Sequence, residues 1–154
     1  MPSEEYKKAY LFLSNKCSKK ELSAKEALII CSKYKLKIVE KNKLINELKK
    51  NQFIDHLRYA NAFVHDRFNL YFWGKNKIRH HLMQKGIEDY HITQAIEGID
   101  NEKYKNIVKQ EALKKYKSLG SKHDFNSKQK ILKYLSLKGF EADLSFEVVD
   151  LLMD

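Results

Sequence analysis

The sequence predicts an all-α fold, built as three tandem three-helix repeats that form an elongated, curved array. Its 154 residues include one Pro and five Gly, whereas the good helix formers Lys, Glu, Leu and Ala are abundant. Hydrophobic residues make up 43% of the chain, which is enough to build a core. Apolar residues at helical spacing also recur in three copies along the chain, with a period near 50.

The repeat is clearest between the middle and the last third of the chain. Residues Lys77–Glu88 (KIRHHLMQKGIE) correspond to Lys130–Glu141 (KILKYLSLKGFE), 53 residues later. An earlier copy at Glu26–Leu36 keeps the apolar positions but has lost the Gly. The predicted units are therefore residues 1–54, 55–101 and 102–154.

Each unit contains three predicted helices. The first is expected over Tyr6–Lys16, Leu57–Phe72 and Tyr104–Leu119 in the three copies. The second, in the middle copy, ends at Gly86, since Gly adopts the left-handed conformation of a helix end at least cost. The third opens beside acidic residues such as Glu88 and Asp89, which a helix N-terminus favours. Stacking then covers the open face that a single small unit leaves.

The chain carries an uneven excess of basic residues. Its net charge is +10, with +7 in residues 1–54, 0 in residues 55–101 and +3 in residues 102–154. Such an excess attracts polyanions. In a chain where 27 of 30 basic residues are Lys, the alternative interpretation is a solvated basic surface.

No sequence pattern of an enzyme, a secreted protein or a membrane protein is present. Cys17 and Cys31 are too few for a disulfide framework and too far apart for a CxxC pair, so we interpret them as core thiols. No secretory signal opens the chain, and its apolar runs are far shorter than the roughly 20 residues that span a bilayer. There is no phosphate loop, HExxH or Gly-x-Ser-x-Gly motif. We expect a cytoplasmic protein without catalytic residues, cofactor or metal.

The best candidate for a binding surface lies in the middle unit. Residues from Arg67 to Gly86 include no acid, and an aromatic run at Phe68–Trp73 precedes their lysines. Phosphates or an acidic protein surface are the partners that such a patch fits. Arg58 and Arg67 stand out because only three Arg occur, and Arg makes bidentate contacts that Lys cannot replace. The predicted partner-binding residues are Arg58, Arg67, Lys75, Lys77, Arg79 and Lys85.

These residues also have structural interpretations. An internal ion pair of Arg58 with Asp55 or Asp66 is an equally good reading of that arginine. Large aromatic side chains are mostly buried. The aromatic residues expected in the core are Tyr59, Phe63, Phe68, Phe72 and Trp73.

Two segments of the middle unit carry a recognisable pattern: Phe53–Val64 (FIDHLRYANAFV) with Arg67 one turn on, and Trp73–Arg79 (WGKNKIR) with the following Lys85–Ile87. Together they resemble the signature of the RecX family. The first unit is similar to its family counterpart at Cys17–Leu22 and Tyr34–Leu36. The chain departs from the family at His56, where a second acid is usual.

The resemblance implies a fold and a function. RecX proteins are cytoplasmic modulators of the RecA recombinase, made of tandem three-helix repeats that lie in the groove of the RecA filament on single-stranded DNA. Most of them restrain filament growth, and they have no catalytic activity of their own. The implied partner is thus the RecA filament, with direct contact to single-stranded DNA left open. We expect a monomer, because the sequence has no coiled-coil heptads.

Two other functions compete with this interpretation. An independent DNA-binding module of the helix-turn-helix type would need a recognition helix, for which Lys75–Lys85 is the only fair candidate. Its Ile78, Leu82 and Met83 are expected to face the core.

A hydrolase of the type that carries His-Asp metal pairs is the other candidate. It would need a metal near His65 and Asp66, or near the similar pair His123-Asp124. His80 and His81 point about 100° apart on a helix and cannot share one metal.

Overall fold

The computed structural model describes all residues, 1–154, and contains α-helices and no strands, which confirms the predicted fold class. No helix is both long enough and apolar enough to cross a membrane. The nine helices are α1 (Glu4–Lys19), α2 (Ala24–Cys31), α3 (Ile38–Lys50), α4 (His56–Asn69), α5 (Lys75–Gln84), α6 (Asp89–Glu97), α7 (Asn101–Ser118), α8 (Phe125–Lys138) and α9 (Ala142–Met153).

Polar side chains set where the first helix of each unit begins. Ser3, Asp55 and Asp100 each accept a hydrogen bond from the backbone N–H three residues on, so they cap α1, α4 and α7. All three helices therefore start earlier than the apolar pattern alone predicts. Helix α1 also continues to Lys19 and is not the short helix expected from Tyr6–Lys16.

Glycines end the second helices of the later two units, as predicted. Gly86 follows α5 with a φ of +79°, and Gly139 follows α8 with a φ of +96°. Both lie in the left-handed region that strains any residue with a Cβ. The first unit lacks this glycine, and α2 ends instead at Ser32, which keeps a right-handed helical backbone.

Helices contact one another mainly within three groups, α1–α3, α4–α6 and α7–α9. The core, however, forms two clusters and not three. One cluster belongs to the first group and includes Leu13, Leu44 and the thiol of Cys31, with Cys17 half-buried at its side. The other runs through both later groups. The limits of the units at residues 54 and 101 stay predictions.

The first joint, between α1–α3 and α4–α6, is built on a buried histidine. His56 is 7% exposed, and its Nε2 accepts the backbone N–H of Ala24 at 3.0 Å. Its Nδ1 lies 2.8 and 2.9 Å from the two carboxylate oxygens of Glu88. Since Nε2 accepts, Nδ1 carries the proton and donates it to Glu88. One imidazole thus ties the start of α2 to the start of α6.

Charged side chains surround this histidine. Arg58 Nε donates to Glu21 at 2.7 Å, and Lys85 Nζ lies 3.6 Å from Glu26. Lys25 Nζ also donates to the carbonyl of Gln84 at 2.8 Å. The first joint is therefore predominantly polar.

The second joint, between α4–α6 and α7–α9, is built on a buried tyrosine. The Tyr104 hydroxyl accepts the backbone N–H of Lys75 at 3.0 Å and donates to Glu141. Burial, together with the hydrogen bond to Glu141, raises the pKa of Tyr104 well above its usual range. The ring packs between Phe68 and Phe140, with both centroid distances at 5.8 Å, inside the shared core.

Two glycines bring the backbones of this second joint together. The N–H of Gly74 donates to the carbonyl of Lys138 at 2.7 Å, and that of Asn76 donates to Gly139 at 2.9 Å. A Cβ on Gly74 would collide with the Gly139 carbonyl, and a Cβ on Gly139 would collide with Lys77. The approach of the two backbones depends on both glycines.

Candidate partner-binding surface

The turn between α4 and α5 carries an arginine packed among aromatic rings. The Arg67 guanidinium carbon lies 4.7 Å from the ring centroid of Phe63, and 5.3 Å from those of Tyr71 and Trp73. Its Nε is buried and has no hydrogen-bond partner. Arg67 forms no ion pair, so its charge is held by ring faces alone.

Two lysines continue this arrangement along α5. Lys77 Nζ lies 4.3 Å from the ring centroid of Trp73, and Lys75 Nζ lies 4.5 Å from that of Tyr104. Neither lysine is within 4 Å of a carboxylate. Because cation–π contacts use no N–H group, these ammonium groups keep their donors for another acceptor. We call Arg67, Lys75 and Lys77 the unpaired cations.

The field of these cations is visible in a neighbouring histidine. The His81 ring lies 4.6 Å from that of Trp73, centroid to centroid. Burial lowers the pKa of His81, and the charges of Lys77 and Arg67 lower it further. The lowered pKa favours the neutral form of His81, so the positive charge beside Trp73 lies on the lysines and arginines around it.

The other three predicted site residues are held by acids. Arg58 pairs with Glu21, and its Nη2 also donates to the carbonyls of Gln52 and Phe53. The internal ion pair foreseen for Arg58 thus exists, but its partner is neither Asp55 nor Asp66. Asp55 instead accepts the backbone N–H of Arg58.

Arg79 and Lys85 are also engaged. Arg79 donates to Asp89 at 2.6 Å and to the hydroxyl of Thr93 at 3.3 Å. Lys85 pairs with Glu26 across the first joint. The structure therefore separates the six predicted residues into three unpaired cations and three members of ion pairs.

The aromatic run before α5 is only partly core. Phe68 is buried, and Trp73 is half-buried against the core, as expected. The prediction that Phe72 is buried was wrong, because it is 37% exposed with a left-handed backbone at φ +57°. Leu70 and Tyr71 beside it are also exposed.

These three side chains form an apolar tip next to the unpaired cations, and the sequence reasoning missed it. Backbone bonds from Phe72 to Phe68 and from Trp73 to Arg67 end α4 there, a helix end that usually takes Gly at the left-handed position. The sequence did offer one sign of this tip: an apolar run stands at the end of a helix, where polar turn residues are common.

The structure also locates the residues of the two alternative functions. Helix α5 buries Ile78 and Leu82, whereas Met83 is exposed, so the expectation that Met83 faces the core was wrong. No group of three or more His, Cys, Asp and Glu side chains is placed to hold a metal ion. His65 and Asp66 are exposed neighbours, and Asp124 caps α8.

Comparison with known proteins places this geometry in a family. The family model described as RecX, second three-helix domain, matches residues 55–96. A regulatory protein RecX of Clostridium botulinum (strain Eklund 17B / Type B) is 32% identical, over 84% of this chain and 72% of the relative. The chain belongs to the RecX family.

Other RecX proteins agree with this assignment. The regulatory protein RecX of Clostridioides difficile is 28% identical, over 89% of this chain and 62% of the relative. The crystal structure of RecX from Lactobacillus salivarius superposes with a TM-score of 0.87 over 97% of both chains, at 22% identity. That likeness shows that the two chains share a fold. The relatives bear the name of regulatory proteins and not of enzymes.

The RecX match contains every predicted site residue. Arg58, Arg67, Lys75, Lys77, Arg79 and Lys85 all lie within residues 55–96, the second three-helix domain. The residues that form ion pairs and those whose charges are unpaired therefore belong to the same domain. Only their contacts distinguish them.

Proposed function

We propose that this chain is a non-catalytic regulator that binds the RecA filament on single-stranded DNA and mostly inhibits it. Membership of a family named for regulation supports a regulatory role. The observation that carries the proposal is the set of three unpaired cations on aromatic rings beside an apolar tip. Such a surface fits a partner that presents anionic and flat or apolar groups together, which a nucleoprotein filament does.

Within this proposal, the six candidate residues have two roles. Arg67, Lys75 and Lys77 contact the filament, where DNA phosphates or carboxylates of the recombinase accept their N–H groups. Arg58, Arg79 and Lys85 hold the middle unit and its first joint in shape. A cytoplasmic location follows from the partner, because the RecA filament assembles there.

The tip of Leu70, Tyr71 and Phe72 supports direct contact with single-stranded DNA. Exposed aromatic rings beside cations stack on bases without reading their sequence. Phe72 has a left-handed backbone, which costs more free energy at a phenylalanine than at a glycine. Its side chain is exposed, so packing in the core gains little from it. A binding role accounts for that arrangement.

A helix-turn-helix module is the weaker alternative. The backbone N–H groups of Lys75 and Asn76, at the start of its only recognition helix, α5, are bonded to Tyr104 and Gly139 of the third unit, so this helix end cannot enter a groove. Base edges in a major groove need that end to be accessible. A sequence-selective footprint on duplex DNA without recombinase would support this alternative.

The test is ATP hydrolysis by the cognate RecA on single-stranded DNA, titrated with the protein. The wild type is expected to inhibit at substoichiometric ratios. A variant with Arg67, Lys75 and Lys77 all changed to Ala is expected to need about 5- to 150-fold more protein for the same inhibition, since it loses contacts worth about 1–3 kcal/mol in total.

A variant of equal charge provides the control. Lys109, Lys114 and Lys133 are exposed and form no ion pair, and their replacement by Ala is expected to leave inhibition within about twofold. Equal loss in both triple variants would show that net charge matters and not this surface. No inhibition by the wild type at equimolar protein would reject the proposal.

A further inference from the structure

The first unit contains a cleft whose apolar residues take no part in the contacts described above, although the Glu26–Lys85 ion pair of the first joint lies at its side. It measures about 820 Å³ and lies between α1 and α2. Its apolar lining comes from Phe12, Leu22, Ile29 and Ile30. Leu22 is buried, whereas Ile29 is 65% exposed. An apolar surface of this kind in a folded chain marks a place where another surface packs.

Lysines surround this cleft. Lys16 lies one turn before the neighbouring Lys19 and Lys20 on its α1 side, and all three are exposed and form no ion pair. Lys33 adds a fourth charge, with its Nζ 3.4 Å from the ring centroid of Phe12. The one acid in the lining, Glu26, is already paired with Lys85. The cleft therefore fits an acidic segment that offers apolar side chains.

The other end of the chain presents a surface with the opposite properties. Residues 141–154 hold five acids and no basic residue, although the whole chain is strongly basic. Helix α9 buries Val148 and Val149 against the core and exposes Phe146 and Leu151, at 51% and 68%.

Acids frame each of these exposed apolar side chains. Asp143 and Asp150 lie one turn before and after Phe146, while Glu147 and Asp154 lie one turn before and after Leu151. Of the four, only Asp150 is in an ion pair, with Lys128. The outer face of α9 is thus an acidic face with two apolar anchors.

We propose that the α1–α2 cleft of one molecule binds the outer face of α9 of a second copy. Of the two anchors, Leu151 is the more exposed and packs on the cleft lining, where Glu147 and Asp154 beside it meet the lysines at the edge. Phe146 lies about 140° further around α9 and stays outside the cleft. The two surfaces belong to opposite ends of the chain, so the contact is head-to-tail and adds copies in a row. A single helix buries less than the roughly 800 Å² per partner of a stable complex, so the association is weak.

This association does not depend on coiled-coil heptads, whose absence led to the expectation of a monomer. Nucleic acid is the other occupant that the lysines would suit. The lining argues against it, because nucleic-acid sites combine phosphate contacts with aromatic stacking or polar base contacts. Its one aromatic ring, Phe12, is already in contact with Lys33, and its other apolar residues are aliphatic.

The test uses the purified protein alone, without recombinase or DNA, so it stands apart from the proposed function. Sedimentation velocity at concentrations up to about 1 mM should give a mass that rises with concentration at low salt. The rise should vanish at about 0.5 M salt, where exposed charges are screened. Two charge reversals, Lys16→Glu with Lys19→Glu and Glu147→Lys with Asp154→Lys, should each weaken association at least about tenfold.

Mixing the two double variants is the decisive step. Each supplies the surface that complements the altered surface of the other, so the mixture should associate although neither variant does alone. Reversal of Lys109 and Lys114 serves as the control and should change nothing, and thermal unfolding should show that all variants fold.

Three outcomes would overturn the proposal. One is a wild type that stays monomeric over the whole range, and another is a mixture that does not associate. The third is a cleft variant that loses only the binding of a single-stranded oligonucleotide, which would make the cleft a nucleic-acid site.

Discussion

The two joints of this RecX chain use the same device with different side chains. In each joint, a ring side chain accepts a backbone N–H from the start of the preceding unit's second helix. The ring belongs to His56 at the first joint and to Tyr104 at the second. Each ring also donates to a glutamate at the start of its own unit's third helix, Glu88 or Glu141. The hydrogen-bonding scheme is thus repeated, whereas its surroundings are not.

Those surroundings make one joint adjustable and the other rigid. The first joint is enclosed by ion pairs and separates two cores, so its stability depends on salt and pH. The second lies over a shared core and brings two backbones into contact at glycines. Interiors that are close-packed resist displacement, whereas partly exposed ion pairs contribute little each. The same pair of bonds therefore holds two units loosely in one place and firmly in the other.

The largest expected effect is that of Gly74→Ala at the second joint. The new Cβ has no room against the Gly139 carbonyl, so the third unit must move and the shared core opens. We expect a loss of about 3 kcal/mol or more in the free energy of unfolding, measured by urea denaturation. Gly98→Ala is the matched control, because its Cβ would meet only the Ala95 carbonyl at 3.2 Å, and it should cost under about 1 kcal/mol. Equal costs for both would mean that the close approach is not needed.

His56→Ala should have a smaller and more local effect. It leaves the Ala24 N–H and the Glu88 carboxylate without partners, at about 1–3 kcal/mol. Because the first unit has its own core, hydrogen exchange should speed up at Ser23–Glu26 and Gly86–Asp89 while α7–α9 keep their protection.

Tyr104→Phe removes the corresponding hydrogen bonds of the second joint. Its effect is to be compared with that of His56→Ala at the first joint. At the second joint the shared core couples both units, so protection should fall across α4–α9 together. Local opening in both variants, or global loss in both, would contradict the distinction between the joints.

The smallest expected effect is that acid pH loosens the first joint before it loosens the second. Burial tends to raise the pKa of Glu26 and of Glu88, but hydrogen bonds from Ser23 and His56 respectively, with nearby cations, outweigh it and lower both pKa values. For a carboxyl with a depressed folded pKa, the stabilisation is complete above the unfolded value of about 4.3 and is lost as the pH falls through the folded value.

Lowering the pH from 6 to below about 4 should therefore loosen the first joint before the second. Hydrogen exchange at both joints across this range would measure it. A Glu88→Gln variant should lose most of the difference, and earlier opening of the second joint would show that other groups control the acid response.

Much of the fold followed from sequence because local rules decide it. The helical period placed the apolar stripes, and Gly86 and Gly139 marked helix ends because their backbone conformation strains other residues. The beginnings of α1, α4 and α7 were placed late, since the capping residues Ser3 and Asp100 carry no apolar signal.

The candidate surface was harder to predict, because contacts between distant residues decide which charges are free. Arg58 and Arg67 look alike in sequence, yet Arg58 meets Glu21, 37 residues away, whereas Arg67 meets only rings. The exposure of Phe72 depends on a left-handed backbone at a residue that is not glycine, which no spacing rule indicates.

The repeated joint also bears on how such a chain lengthens by gene duplication. The first joint requires of the preceding unit a backbone N–H at the start of its second helix, and the second joint requires Gly74 as well. Backbone groups are unaffected by most mutations. The following unit must bring one polar ring, one glutamate and one glycine, all of which lie within a single copied segment. A duplicated unit thus carries its own means of attachment, and copies can diverge in their surfaces while the connection between them is inherited intact.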